Sequence, residues 1–245
     1  RLIVMRDEKQ LDKKDWIHVL GTSQLDWACF LTGVQRQLRK HVNENVTISF
    51  DSASAFLSTA NGLVYTHNLF TPKRWSYIME KAPDDKKLKG STIPFPFKSA
   101  IGERLNMGDV CAYGEGDLNK NNKEGKTSWD SFSYCLMMAH NVYNHIRAVQ
   151  IANDMNDIEM IKHKPDMQYW TKTKASDNTG ELSDFVPKNI LYFNQFVEKV
   201  FTSEKPMEYI SANKSFLADI RGTRWQTSTG GGKGTNNFSS LFADG

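Results

Sequence analysis

The sequence predicts an α/β fold, and two observations carry that prediction. A β-α-β pattern occupies residues 17–56: an apolar run stops at Gly21, an amphipathic stretch follows, and a second apolar run, Val46 to Phe50, ends on Asp51. Downstream, apolar residues recur at helical spacing, so the remainder reads as mostly helical. Four regions result: 1–106 with the β-α-β unit and a basic, aromatic insertion, 107–127 as an exposed loop, 128–222 as a helical region, and 223–245 as a flexible tail.

The first strand is Ile17-His18-Val19-Leu20. The helix after it places Leu25, Phe30, Leu31, Val34, Leu38 and Val42 on one stripe. Lys73-Arg74-Trp75 follows the unit, then Lys81, Lys86, Lys87 and Lys89 lead to Ile93-Pro94-Phe95-Pro96-Phe97-Lys98. Basic residues interleaved with Trp75, Tyr77 and two Phe suit phosphate contacts and stacking on an unpaired base. A solvated loop with a small aromatic anchor has the same composition, and Asp84 and Asp85 dilute the charge.

Asp109 to Lys126 is rich in Gly, Asn and Lys, which predicts a long loop. Ser128 is the expected N-cap of the next helix, with Asp130 in its first turn. Phe132, Leu136, Ala139, Tyr143, Ile146 and Val149 form its expected buried stripe, running on toward Ile158. His140 and His145 lie beside that stripe, five positions apart, and a core or interface role is expected of both. Residues 162–185 are polar and read as loop. Pro187 opens a further helix, and a short helix over 207–220 stops at Gly222. Thr229 to Thr235 has the look of a phosphate loop, but Lys233 is followed by Gly and no strand precedes it, so a flexible tail is expected.

Of the 245 residues, 39% are hydrophobic and 24% charged, enough for a real core in one large domain or two small ones. The mean hydropathy of −0.54 points to a soluble protein. No run reaches the ~18 apolar residues of a membrane span, and no signal-peptide pattern is present. Cys29, Cys111 and Cys135 have unrelated spacings, which suggests a reducing, cytoplasmic compartment. A net charge of +3 permits a nucleic-acid partner without requiring one.

Asp51 is the residue on which the functional argument turns. In a (β/α)8 barrel, chemistry sits on residues at the C-terminal ends of strands, where Asp51 falls. An Asp before Ser52-Ala53-Ser54 is also an ordinary turn or helix cap.

Two segments together resemble the C-terminal half of the tRNA-guanine transglycosylase superfamily. His18-Val19-Leu20-Gly21, a helix, and Ser49-Phe50-Asp51-Ser52 are similar to the family's seventh and eighth barrel strands. Ala139-His140-Asn141-Val142-Tyr143-Asn144-His145 is similar to its His-Asn-Leu-Tyr helix, which follows a zinc-binding insertion. The likeness covers roughly the first 155 residues, and the branch that modifies phage and bacterial DNA with 7-deazaguanines looks closer than the tRNA enzymes. The resemblance implies C-terminal βα units of a TIM-type (β/α)8 barrel followed by a helical subdomain. His140 matches the zinc-ligand position, but the Cys-x-Cys-x-x-Cys partners are missing, so zinc is not predicted. The family's Asp-Ser-Gly-Gly acid/base segment has no counterpart, and one β-α-β unit does not close a barrel. The remaining strands are therefore expected from the same longer polypeptide or from another chain.

The activity implied is base exchange: Asp51 as nucleophile replaces guanine in nucleic acid, DNA rather than tRNA, with a 7-deazaguanine through a covalent aspartyl-glycosyl intermediate. Leu20 and Gly21 match the segment lying against the base, and Lys73, Arg74 and Trp75 are the expected nucleic-acid contacts. Ser49, Ser52 and Ser54 are candidates to hydrogen-bond the nucleophile or a phosphate. No cofactor is expected beyond the deazaguanine co-substrate, and the setting is the cytoplasm of a bacterial or phage-infected cell. The family also admits a homodimer. Two alternatives stand beside this: a non-catalytic nucleic-acid-binding or assembly module derived from the fold, and a glycosylase in which water resolves the intermediate.

Overall fold

The computed structural model describes residues 1–71, 75–113, 127–157 and 186–225. It forms two units, Arg1–Glu198 and Lys199–Gly245. The chain is mixed α/β, with helices dominating and the strands confined to small sheets. Among the described residues, none of the helices is long and apolar enough to cross a membrane.

The first unit opens with helix α1 (Leu2–Asp7), strand β1 (Trp16–Val19), helix α2 (Leu25–His41) and strand β2 (Thr47–Phe50). β1 and β2 pair in parallel, His18 opposite Ser49 and Val19 opposite Phe50. This is the β-α-β unit that the periodicity predicts. Parallel strands need a long crossover, and α2 supplies it. Leu25, Ala28, Cys29, Phe30, Gly33 and Leu38 form the buried stripe of α2. The Cys29 thiol, sealed there, has its pKa pushed up by burial. The backbone N–H of Ile48 donates to Gln35 Oε1 at 2.6 Å, and the carbonyl of Val46 accepts from Arg39 Nε at 2.7 Å. Side chains of α2 thus satisfy backbone groups of β2 and its approach that β1 does not reach.

Helix α3 (Ser54–Ala60) leads into an antiparallel hairpin of β3 (Leu63–Phe70) and β4 (Trp75–Lys81). The sequence predicts a basic, aromatic insertion here, and the structure makes it a sheet. Alternating β-branched and aromatic residues, Leu63-Val64-Tyr65-Thr66 and Trp75-Ser76-Tyr77-Ile78, explain the strands. A register shift falls between Tyr65 and His67.

Helix α4 (Met107–Val110) starts inside the region expected to be exposed loop. A capping box closes its N-terminus, the Asn106 N–H donating to Asp109 Oδ2 at 2.7 Å. Val110 and Cys111 are buried. Val110 packs with Val64, Ala82, Phe95, Trp129 and Met137 in the core around the hairpin. The rest of the predicted loop, 114–126, lies outside the described residues, as do the segment 162–185, Ile158 and the tail with Thr229 to Thr235.

Helix α5 (Ser131–Asn156) is the spine of the unit. Its N-cap is Asp130, not Ser128: Oδ1 accepts from the Ser133 N–H at 2.7 Å. These bonds hold the Asp130 carboxyl below its usual pKa range. Ser128 is instead buried, its N–H and hydroxyl both donating to Asp84 Oδ1.

The buried face of α5 corrects the expectation more deeply. It runs through Ser133, Met137, His140, Asn141, Asn144, Ala148, Ile151, Ala152 and Met155. Phe132 and Ile146, assigned to the core from the sequence, are 68% and 52% exposed. The cause is the open edge of β3. The Tyr65 N–H donates to Asn141 Oδ1 at 2.8 Å, and the Tyr65 carbonyl accepts from His140 Nε2 at 2.9 Å and Asn144 Nδ2 at 3.1 Å. Asn141 Nδ2 also reaches Ala55 O, Thr59 Oγ1 and Leu63 O. Helix side chains stand where a third strand would hydrogen-bond, so the polar face must turn inward.

A helix over Lys188–Thr202 follows, beginning directly after Pro187. Within the first unit its Phe193 ring lies 4.3 Å from that of Phe30. The second unit contains the end of this helix and helices over Pro206–Ala212 and Lys214–Trp225. The single helix expected over 207–220 is thus two, broken at Asn213, whose Nδ2 bonds the Tyr209 carbonyl at 2.8 Å. Gly222 lies within the second helix rather than ending it.

Candidate active site

The parallel pair presents two different faces. Ile17, Val19, Ile48 and Phe50 alternate with Trp16, His18, Ser49 and Asp51, so the chemistry-bearing residues share one side. Gly21 ends β1 at φ +77°, in the left-handed region that glycine adopts without strain. That turn brings the Gly21 N–H to Asp51 Oδ1 at 3.3 Å, while the Thr22 N–H donates to the Asp51 carbonyl at 2.9 Å. Leu20, Gly21 and Asp51, singled out from the sequence, therefore lie together. Leu20 is 76% exposed beside the carboxylate.

His18, to which the sequence pattern assigns no role, is the partner of Asp51. Its Nε2 lies 3.7 Å from Asp51 Oδ2, and its Nδ1 is 2.8 Å from Ser49 Oγ. Trp16 Nε1 donates to the same hydroxyl at 2.6 Å. With Ser49 receiving the indole N–H and donating to Nδ1, the His18 Nε2–H is directed toward Asp51. The cross-strand register of His18 and Ser49 makes this chain of contacts, and its only sequence signal was alternation on each strand. The Asp51 side chain is 60% exposed, so water screens its charge.

The serines divide accordingly. Ser49 orients His18, whereas Ser52, Ser54 and Ser23 bond one another, with Ser52 Oγ and Ser54 Oγ 2.7 Å apart and Ser23 Oγ and Ser54 Oγ 3.0 Å apart. They brace the turn before α3.

On the other side of Asp51 a pocket of about 320 Å³ opens between the end of β2, α3 and α5. Phe50, Phe56, Val142 and Ile146 form apolar walls, and Thr22, Asp51, Ser52, His145 and Gln150 supply polar groups. His145 stacks on Tyr77, centroids 5.0 Å apart, and Tyr77 stacks on Tyr65 at 4.9 Å. Burial lowers the His145 pKa and raises those of Tyr65 and Tyr77.

Of the expected nucleic-acid contacts, Trp75 falls among the described residues. Lys73 and Arg74 lie outside the described residues. Trp75 is 7% exposed, its ring edge-on to Phe70 at 5.3 Å. Its place in the hairpin leaves no open face for a stacked base, which corrects the expectation.

His140 is fully buried. Its Nε2–H donates to Tyr65 O, and its Nδ1 accepts from Ser99 Oγ at 2.8 Å. Burial lowers its pKa, so it is neutral, and both ring nitrogens are occupied by protein groups. Among the described residues, His, Cys, Asp and Glu side chains form no cluster able to hold a metal ion.

Comparison of the chain with protein-family models, curated proteins and solved structures finds no match.

Proposed function

We propose that the chain belongs to a base-exchange transglycosylase that replaces guanine in nucleic acid, DNA in preference to tRNA, with a 7-deazaguanine. The observation that carries this reading is Asp51 at the C-terminal end of a parallel strand, with the Gly21 N–H and His18 both directed at its carboxylate. In the first step an Asp51 oxygen bonds to C1′ as the C1′–N9 bond breaks, and guanine leaves with that electron pair. The negative carboxylate favours the positive character that C1′ acquires. In the second, the ring nitrogen of the deazaguanine bonds to C1′ and the aspartyl ester bond breaks. Guanine gains one proton and the entering base loses one, so the exchange is balanced. C1′ is reached only after the target nucleotide is extruded from the duplex, at about a few kcal/mol.

The reading takes β1, α2 and β2 as a fragment of a barrel. α2 packs on β2, and in this reading the face of the pair that carries Trp16, His18, Leu20, Ser49 and Asp51 would line a barrel interior near its catalytic end. The reading includes further strands from the same longer polypeptide or from another chain.

One observation favours the assembly-module alternative. The outward N–H of Ile48 is already taken by Gln35, so a strand joining β2 must displace that side chain.

The test is to incubate the protein with duplex DNA or tRNA and 7-cyano-7-deazaguanine, denature, and analyse by gel and mass spectrometry. An adduct with DNA mapping to Asp51 and lost in Asp51→Asn supports the transglycosylase. An adduct with tRNA alone keeps the mechanism and overturns the DNA branch. Binding without any adduct moves the reading to the module, and abasic sites in the product identify a glycosylase.

A further inference from the structure

We propose that the segment 97–104 is an acid-operated latch, held on α5 by a hydrogen bond from Ser99 to neutral His140 and released when His140 takes up a proton. The latch is independent of the chemistry assigned to Asp51.

The hydrogen bonds at Ser99 make this contact one-way. Ser99 Oγ accepts from the Gly102 N–H at 2.7 Å and from the Ile101 N–H at 3.2 Å, which commits both of its lone pairs. Its one hydrogen therefore goes to His140 Nδ1, 2.8 Å away. His140 Nε2–H is given to the Tyr65 carbonyl at 2.9 Å. An imidazolium carries hydrogens on both nitrogens and accepts from neither. Once protonated, Nδ1–H would face a hydroxyl with no lone pair to offer, and Ser99 and His140 are both buried, so water does not bridge them. The ring is fixed to a 26-residue helix and, through Nε2, to β3. The segment is the side that yields.

The segment is hinged at its base. The Phe95 N–H donates to the Leu105 carbonyl at 2.9 Å, the Met107 N–H to the Ile93 carbonyl at 2.7 Å, and Pro94 bridges Asn106. These bonds do not involve α5, so they persist when the tip lifts. The second tie of the tip to α5 is long, with Asn144 Nδ2 3.3 Å from the Lys98 carbonyl and shared with Tyr65 O. Tyr65 and His67 on β3, Asp109 on α4, His145 on α5, and Lys98, Glu103 and Arg104 on the segment are the titratable or charged groups of these elements. Tyr65 is neutral, its pKa raised by burial. Asp109 is engaged in its capping box, the three segment charges are exposed and screened, and the histidines when charged have the same sign as an imidazolium. None of them offsets a charge on the buried ring. Burial lowers the His140 pKa, so the closed latch is complete above the ordinary histidine value of about 6.5 and is lost progressively as pH falls below it.

Amide hydrogen exchange of the full chain, followed by NMR at pH 7.5 and 5.0 and corrected for the intrinsic effect of pH, reads the latch residue by residue. Protection at Ile101 and Gly102 is expected to fall toward about tenfold per pH unit below 6.5, the limit for one proton taken up on opening. Phe95 and Met107 should keep theirs. His140→Gln, which has no titrating ring, should make protection at Ile101 and Gly102 independent of pH. Ser99→Ala should leave both amides unprotected at either pH. Unchanged protection at Ile101 and Gly102 in the native protein overturns the proposal, as does an equal loss at Phe95 and Met107, which would mark unfolding of the whole unit. A pH response that survives in His140→Gln, or protection retained in Ser99→Ala, overturns it too. Circular dichroism verifies folding of the variants, and the native measurement decides alone if either fails to fold.

Discussion

Removing the amide of Asn141 is the sharpest test of how α5 is seated. Asn141 is fully buried, and its side chain joins the edge of β3 to α3 and the turn after it through four hydrogen bonds. In Asn141→Ala the Tyr65 N–H loses its acceptor in a site closed to water. An orphaned buried donor costs about 1–3 kcal/mol. The Ala55 carbonyl also accepts from Thr59 Oγ1 at 3.3 Å, so that oxygen is not stranded, and the small void left behind adds about 1 kcal/mol. The expected loss is about 2–4 kcal/mol, read as a lower urea midpoint at unchanged slope. Phe132→Ser and Ile146→Ser, on the exposed side, should each stay within about 0.5 kcal/mol of the native protein. The reverse pattern, with Asn141→Ala harmless and the two serine variants destabilising, would show that α5 is rotated as its hydropathy suggested and would refute the reasoning.

Two further outcomes follow from the same core. Neutral His140 and His145 both have lowered pKa values, so their contribution is complete above the unfolded-state value of about 6.5 and is lost as pH falls below it. Urea midpoints should therefore drop between pH 7.5 and 5.5, by at most about 1.4 kcal/mol per pH unit for each histidine, and the drop should shrink in His140→Gln; an unaltered slope in that variant would contradict the assignment. In Gly102→Ala the new Cβ would stand 2.2 Å from the Phe97 carbonyl oxygen and 3.3 Å from His140 Nδ1. Backbone must shift to admit it, at a cost of about 1–3 kcal/mol by thermal or urea unfolding, and an unchanged midpoint would show that this loop is looser than the structure has it.

What the sequence determined by itself was local. The apolar run before Gly21, the stripe of α2 and the run ending on Asp51 specify a β-α-β unit, because strand, crossover and strand are each written in the periodicity of their own residues. The nearness of Leu20, Gly21 and Asp51 was legible for the same reason: parallel pairing of two strands joined by one helix aligns their C-terminal ends. The hairpin of β3 and β4 was missed because its alternation is short and set among lysines, and so Trp75 was expected to contact nucleic acid when it belongs to the core.

Tertiary structure alone decided which face of α5 is buried. Hydropathy ranks Phe132 and Ile146 above Asn141 and Asn144, and for a helix packing on apolar side chains that ranking is right. Here the partner is the open edge of a strand, whose N–H and C=O groups must be satisfied once buried, and only polar side chains can do that. The same juxtaposition of distant segments set His18 against Asp51 and stacked His145 on Tyr77. Neither arrangement has a local signature, because each depends on which backbone and side-chain atoms the fold brings opposite one another.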